Sequence, residues 1–192
     1  LSELLDASAV LANYSRLVID LNRRLDHPTA FAAHADGKPV PGNIDITDED
    51  RDRRVQEIYN PYHQAIGKAI ECFLDKGVVP AIISIHSFTP VFYNQKRPWD
   101  IGILWTHDPR LPVPVIKALN KTGLTIGDNE PYDARTLRGS SVERHADAIG
   151  LPNILFEVRN DLIANPEGVD KMASVIMHSL ENVLADHSLY RY

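Results

Sequence analysis

Apolar positions along this chain fall into short β-branched runs separated by longer stretches of helical spacing. The clearest run is AIISIHSFTP at 81–90, which follows Gly77 and Pro80. Ala81, Ile82, Ile83, Ser84 and Ile85 predict a strand buried on both faces, as in a parallel sheet. It ends on His86, and Thr89-Pro90 breaks the chain straight after. Shorter runs predict strands at 9–13, 17–19, 100–105, 124–127 and 153–158.

The stretches between these runs read as helices and loops. Thr47 followed by Asp48, Glu49 and Asp50 is a threonine cap with acids in the first helical turn. Val55, Ile58, Tyr59, Tyr62, Ile66, Ile70 and Leu74 continue it as one apolar stripe. Pro61 is expected to kink or divide this helix, and Gly77 to end it. Further helices are expected at 112–120, at 141–149 before Gly150, and at 166–185. The last carries Val169, Met172, Ile176, Leu180 and Leu184 on one face. Residues 24–46 form a long polar, turn-rich loop, of the kind that is functional or mobile in compact domains. Residues 133–141 are a second polar loop. Strands alternating with helices imply an α/β fold, a mostly parallel mixed sheet with helices on both faces.

At 192 residues the chain is long enough for one domain, 1–192, with its own core. A net charge of −6 and a pI near 5.7 argue against a nucleic-acid binder, which carries a basic face. Local arginines remain free to bind a small anion. No apolar run approaches the ~20 residues of a membrane span, and no secretory leader pattern opens the chain. There is one cysteine, Cys72, so no disulfide framework, and a cytoplasmic setting fits. Cys72 lies in a helical pattern and is expected to be a small buried apolar group.

Three predicted strands finish in polar groups that burial alone does not select. Asn22 and Arg23 follow the first, His86 ends the second, and Glu157 and Arg159 lie at the exit of the third. Parallel strands would gather these groups on one rim, where open α/β sheets bind ligands. A histidine with a carboxylate suits zinc chemistry, and a carboxylate outside the coordination shell can take a proton from water. Arginine with asparagine offers a planar fork for a substrate carboxylate, and arginine can hold an oxyanion. Plainer roles stay open for each. His86 can be satisfied by backbone groups, Asn22-Arg23 can cap a strand and pair with Asp20 or Asp26, and Glu157-Arg159 can be an exposed pair of little energetic value. His145 either contacts substrate or lies at the surface. His107, His178 and His187 read as solvated, His34 in the long loop is either solvent-exposed or functional, and His63 packs or faces water on the long helix. No HExxH, GxSxG, GxGxxG or GxxxxGK[ST] pattern occurs.

Seven segments together resemble the N-formylglutamate amidohydrolases, in the branch called predicted N-formylglutamate amidohydrolases. They are YSRLVIDLNR at 14–23, DGKPVPGN at 36–43, IYNPYHQAI at 58–66, IHSFTPVF at 85–92, RPWDIGIL at 97–104, GDNEPY at 127–132 and ERHADAIGLPNILFEVRNDLI at 143–163. More distantly, the order Arg16, Asn22-Arg23, His86, Glu157 is similar to the zinc carboxypeptidase and aspartoacylase group. The resemblance implies a phosphorylase/hydrolase-like α/β fold and a zinc hydrolase of N-acyl amino acids. It implies His86 as a zinc ligand, Glu157 as the general base and Arg16 as the group on the scissile carbonyl. Asn22 and Arg23 would bind the α-carboxylate, and Arg144 or His145 a second acidic group. The family reaction converts N-formyl-L-glutamate to formate and L-glutamate in histidine degradation. The family's first two zinc ligands precede the segment matching 14–23. Residues 1–13 hold Glu3 and Asp6 but no histidine, so an N-terminal segment upstream of this chain is expected. Two other readings remain: a non-catalytic relative that binds a small carboxylate through Arg16, Arg23 and Arg144, and a zinc deacylase or carboxypeptidase with another substrate.

Overall fold

The structure is a computed structural model that describes residues 1–136 and 139–191. A single-turn helix, α1 (Ser2–Leu5), starts the chain, with Leu1 and Leu5 packed against the main core. The strands expected at 9–13 and 17–19 do not form. Residues 11–17 are exposed, while Ile19 and Leu21 pack with Ala30, Phe31 and Tyr59 in a separate small cluster. The reason lies in the backbone partners. Leu17 O accepts from the Asn43 amide at 2.8 Å and Val18 O from Arg54 at 2.7 Å. Side chains take the acceptors that a neighbouring strand would have used.

The long loop at 24–46 contains an antiparallel hairpin, β1 (His34–Ala35) and β2 (Lys38–Pro39), and a 3-10 turn at Pro41–Asn43. Helix α2 (Asp48–Arg54) begins as expected, with the Thr47 hydroxyl accepting from Asp50 N at 3.1 Å. A π turn over Val55–Tyr59 then leads into α3 (Asn60–Leu74). Pro61 therefore sits in the first turn of α3, where its missing N–H is not needed. The division expected of it takes the form of a π turn just before it. Cys72 is exposed on α3 rather than buried, because the apolar stripe passes through Ile66, Ile70 and Leu74 instead.

Next come β3 (Ile82–Phe88), a small hairpin of β4 (Val91–Phe92) and β5 (Gln95–Lys96), and β6 (Ile101–Leu104). Helix α4 (Pro112–Leu119), β7 (Ile126–Asp128), α5 (Ser141–His145), β8 (Asn153–Arg159) and α6 (Pro166–Leu184) complete the fold. The loop expected at 133–141 includes Leu137 and Arg138, which lie outside the described residues.

The four main strands run in the order β3-β8-β6-β7. β3 is parallel to β8 and β6 is parallel to β7, while β8 and β6 are antiparallel, so the sheet is mixed. β3 is an edge strand, not one buried on both faces, and its Ile85 is 49% exposed. The buried strand is β8, in which every residue before Arg159 is buried. Its side chains alternate between faces. Ile154, Phe156 and Val158 join Ile101, Ile103 and the inner faces of α4 and α6 in the main core. Leu155 joins Leu104, Ile70 of α3, Val142 of α5 and Ala146 just after α5 on the other face. Each fully buried aliphatic or aromatic side chain in these layers stabilises the fold by roughly 2 kcal/mol. Glu157 falls between Phe156 and Val158, so the strand's period directs its carboxylate onto the α3–α5 face.

Candidate active site

Strand register builds the centre of the site. Glu157 is paired with His86 on β3 and with Gly102 on β6, and Gly102 is paired with Gly127 on β7. These four positions form one row across the α3–α5 face. The two glycines leave room for the turn after β7. A Cβ on Gly102 would lie 2.0 Å from Glu130 O, and one on Gly127 would lie 2.7 Å from Glu130 Cβ. The Asn129 side chain holds this turn, its Oδ1 accepting from Trp105 N and Ala134 N at 3.1 and 3.3 Å.

Glu157 is 7% exposed, and its Oε2 is buried with no hydrogen-bond partner. Burial raises its carboxyl from the ordinary range to about 7, against the opposing charges of Arg16, Arg97 and Arg23. An acid poised there suits proton transfer near neutral pH. It is also costly to bury unless it has a task. His86, half-buried, places Nε2 3.1 Å from the Ser84 hydroxyl. Burial lowers its imidazole below the usual value; Asp20 opposes this, and Arg16 and Arg23 reinforce it. A neutral imidazole keeps a lone pair for a proton or a cation.

The segment 16–23 lies against this row without being a strand. Arg16 is ion-paired to the buried Asp20 at 2.6 Å, and Asp20 Oδ1 accepts from Asn22 N at 2.9 Å. Asn22 Oδ1 accepts from Ser141 N at 2.7 Å, which ties the segment to the start of α5. Arg23 donates one N–H to Asn22 O at 3.0 Å, while its buried Nε has no hydrogen-bond partner. The plainer pairings of Arg23 with Asp20 or Asp26 do not occur, because Asp20 holds Arg16 and Asp26 holds Arg24. Arg159, in contrast, is a structural ion pair, with Asp100 at 3.0 Å and Asp161 at 2.7 Å.

Arg144 and His145 form a neighbouring cluster between α3 and α5. Arg144 donates to the Tyr59 hydroxyl at 3.1 Å, and that hydroxyl donates to Arg23 O at 3.0 Å. His145 Nε2 lies 2.8 Å from His63 Nδ1. Burial, then Arg144 and His145, lower His63 to about 4, and burial with Arg144 also lowers His145. His63, read from the sequence as packing or facing water, is buried and packs against Tyr59, Tyr62 and His145. Sequence reading assigned no role to Arg97, which opens the segment 97–104. His107, His178 and His187 are exposed, as expected, and His34 is exposed as well. A groove of about 400 Å³ between α4 and α6 lies on the opposite face of the sheet and includes none of these site residues.

Among the described residues, no group of three or more His, Cys, Asp or Glu side chains is gathered to hold a metal ion. His86 has no such group gathered around it among the described residues. No helix of the described residues is long and apolar enough to cross a membrane.

A sequence model of the N-formylglutamate amidohydrolases matches residues 1–164. The chain belongs to this family. Membership places it among enzymes that hydrolyse amide bonds. The crystal structure of gene product Atu2144 from Agrobacterium tumefaciens is 32% identical, with a TM-score of 0.84, covering 90% of this chain and 68% of that one. The N-formylglutamate amidohydrolase from Ralstonia eutropha JMP134 is 20% identical, with a TM-score of 0.60, covering 88% of this chain and 73% of that one. The second likeness speaks for the shared α/β fold alone. No curated protein matches the chain at a significant level.

Proposed function

We propose that this amidohydrolase cleaves the amide of an N-acyl amino acid, with N-formyl-L-glutamate as its substrate. The observation that carries this reading is Glu157, a buried carboxylate with a free Oε2 and an acidity near neutral, in a row with His86 and under the influence of three arginines. In this reading Glu157 takes a proton from a water molecule as its oxygen bonds to the acyl carbon. Arg16 faces the developing oxyanion with the N–H groups that Asp20 leaves free. Glu157 then passes the proton to the amide nitrogen as the C–N bond breaks, releasing formate and the free amino group. Arg23 and Asn22 hold the α-carboxylate; the buried, unpartnered Nε of Arg23 supports this role.

Zinc is a proposal drawn from the family, with His86 as the ligand this chain contributes, and no step above runs through the ion. The test is formate release from N-formyl-L-glutamate, with zinc supplied and with zinc chelated. Glu157→Gln should lose roughly 10²- to 10⁴-fold in turnover. Full activity in that variant would remove Glu157 from the chemistry.

A second reading, binding of a small carboxylate without turnover, is favoured because the described residues gather no three His, Cys, Asp or Glu side chains in one place to hold a metal ion. Binding of L-glutamate without formate release, whatever the metal supply, would select it.

A further inference from the structure

Arg97 is set among three aromatic rings, whereas Arg51 and Arg144 each face one. Its backbone N–H closes the base of the β4–β5 hairpin onto Pro90 O at 2.8 Å. Its guanidinium carbon lies 4.5 Å from the Phe92 ring centre, 5.0 Å from that of Tyr132 and 5.8 Å from that of Phe88. Nη1 donates to the Tyr132 hydroxyl at 3.1 Å. Among the described residues no carboxylate is ion-paired with it, whereas Arg16, Arg24 and Arg159 each hold an aspartate. Three aromatic rings thus fix a cation and replace part of its water.

Its position follows from the sheet. Phe88 lies two residues beyond His86, on the same face of β3. Tyr132 belongs to the turn whose Glu130 packs on Gly102, the register partner of Glu157. Arg97 therefore lies at the end of the sheet where β3 and β8 exit and β6 begins, just past the His86–Glu157 row. Arg23, on a different segment, keeps a buried Nε with no hydrogen-bond partner, and its charge also acts on Glu157. Arg144 is turned onto Tyr59, with its guanidinium 5.6 Å from that ring centre.

We infer that Arg97 is the specificity-determining residue of the site, receiving the side-chain carboxylate of an acidic amino acid while Arg23 receives its α-carboxylate. The pre-set planar fork matches a carboxylate, and its cage lowers the ordering cost on binding. This deepens the hydrolase reading and rests on it for the location of the reacting centre. It makes the substrate class N-acyl dicarboxylic amino acids. It moves the second-acid role from Arg144 or His145 to Arg97.

The test is calorimetric binding of L-glutamate and L-glutamine to the wild-type protein and to Arg97→Met and Arg97→Lys. Methionine keeps an apolar stem between the rings and removes the charge. Wild type should favour glutamate at least about tenfold, and Arg97→Met should weaken glutamate about 10- to 100-fold while leaving glutamine within about twofold. Arg97→Lys should fall between them, since it keeps the charge and loses the fork. In turnover, the loss for N-formyl-L-glutamate should appear mainly in KM and be absent for N-formyl-L-glutamine. No glutamate preference in wild type, an unchanged preference in Arg97→Met, or equal weakening of both ligands in both variants would overturn the inference. Loss of preference in Arg97→Met with no formate release by wild type would uphold Arg97 and overturn the hydrolytic reading instead.

Discussion

His86 and Glu157 are register partners on neighbouring parallel strands, β3 and β8, and their side chains share one face of the sheet. Seventy-one positions separate them in sequence, and backbone pairing brings them side by side. The histidine is held below its usual acidity range and the carboxyl above its own, so both are drawn towards neutral forms.

This arrangement predicts a pH profile. The base form of Glu157 is its carboxylate, so kcat/KM for N-formyl-L-glutamate should rise as pH passes through about 7 and level off above it. A profile with its acid limb near the ordinary carboxylate value would contradict the role.

The same shift predicts a stability difference. Folded Glu157 keeps its proton up to about 7, whereas an unfolded glutamate loses it near 4.5. Its contribution is fully present below 4.5 and is lost as pH rises to about 7, on the order of 3 kcal/mol in all. Glu157→Gln, which carries no charge, should therefore melt several degrees above wild type at pH 8 and about level with it at pH 4. Thermal melts at the two pH values check this.

His63 should act in the opposite sense. Its folded value of about 4 lies below the unfolded 6.5, so stability is lost as pH falls from 6.5 towards 4. His63→Gln should flatten that acid limb. Urea midpoints of the variant and wild type should converge as the pH is lowered from 7 to 5.

Gly102→Ala should disturb the site through the backbone. The added Cβ would meet Glu130 O at 2.0 Å, and that atom belongs to the turn packed beside Glu157. A destabilisation of roughly 1–3 kcal/mol and a loss of turnover are expected, read by melting and by formate release. Gly67→Ala on α3, where an added Cβ meets nothing within 4 Å, is the control: it should leave turnover unchanged and, by helix propensity, stabilise by about 0.5–1 kcal/mol.

Arg23→Ala should raise KM for the substrate far more than it lowers kcat, because a group that binds the α-carboxylate acts in ground and transition states alike. Steady-state kinetics separate the two. A fall confined to kcat would place Arg23 on the reacting bond instead.

Much of this protein was legible in the order of its residues. Period and caps gave α2, α3, α4, α6 and β8, and the β-branched run gave β3, because these depend on local spacing. The family segments carried His86, Glu157, Arg16, Asn22 and Arg23. The tertiary structure decided the rest. The apolar run at 17–19 became a loop because Asn43 and Arg54 take its carbonyl groups from distant positions. β3 became an edge strand because the order of strands in a sheet is a non-local outcome. Residue spacing also gave no sign that β6 would run antiparallel to β8, which puts Gly102 beside Glu157 and lets the Glu130 turn in. Nor did it distinguish Arg97 from other surface cations. The rings around that guanidinium come from β3, the β4–β5 hairpin and the turn after β7, and only folding brings them together.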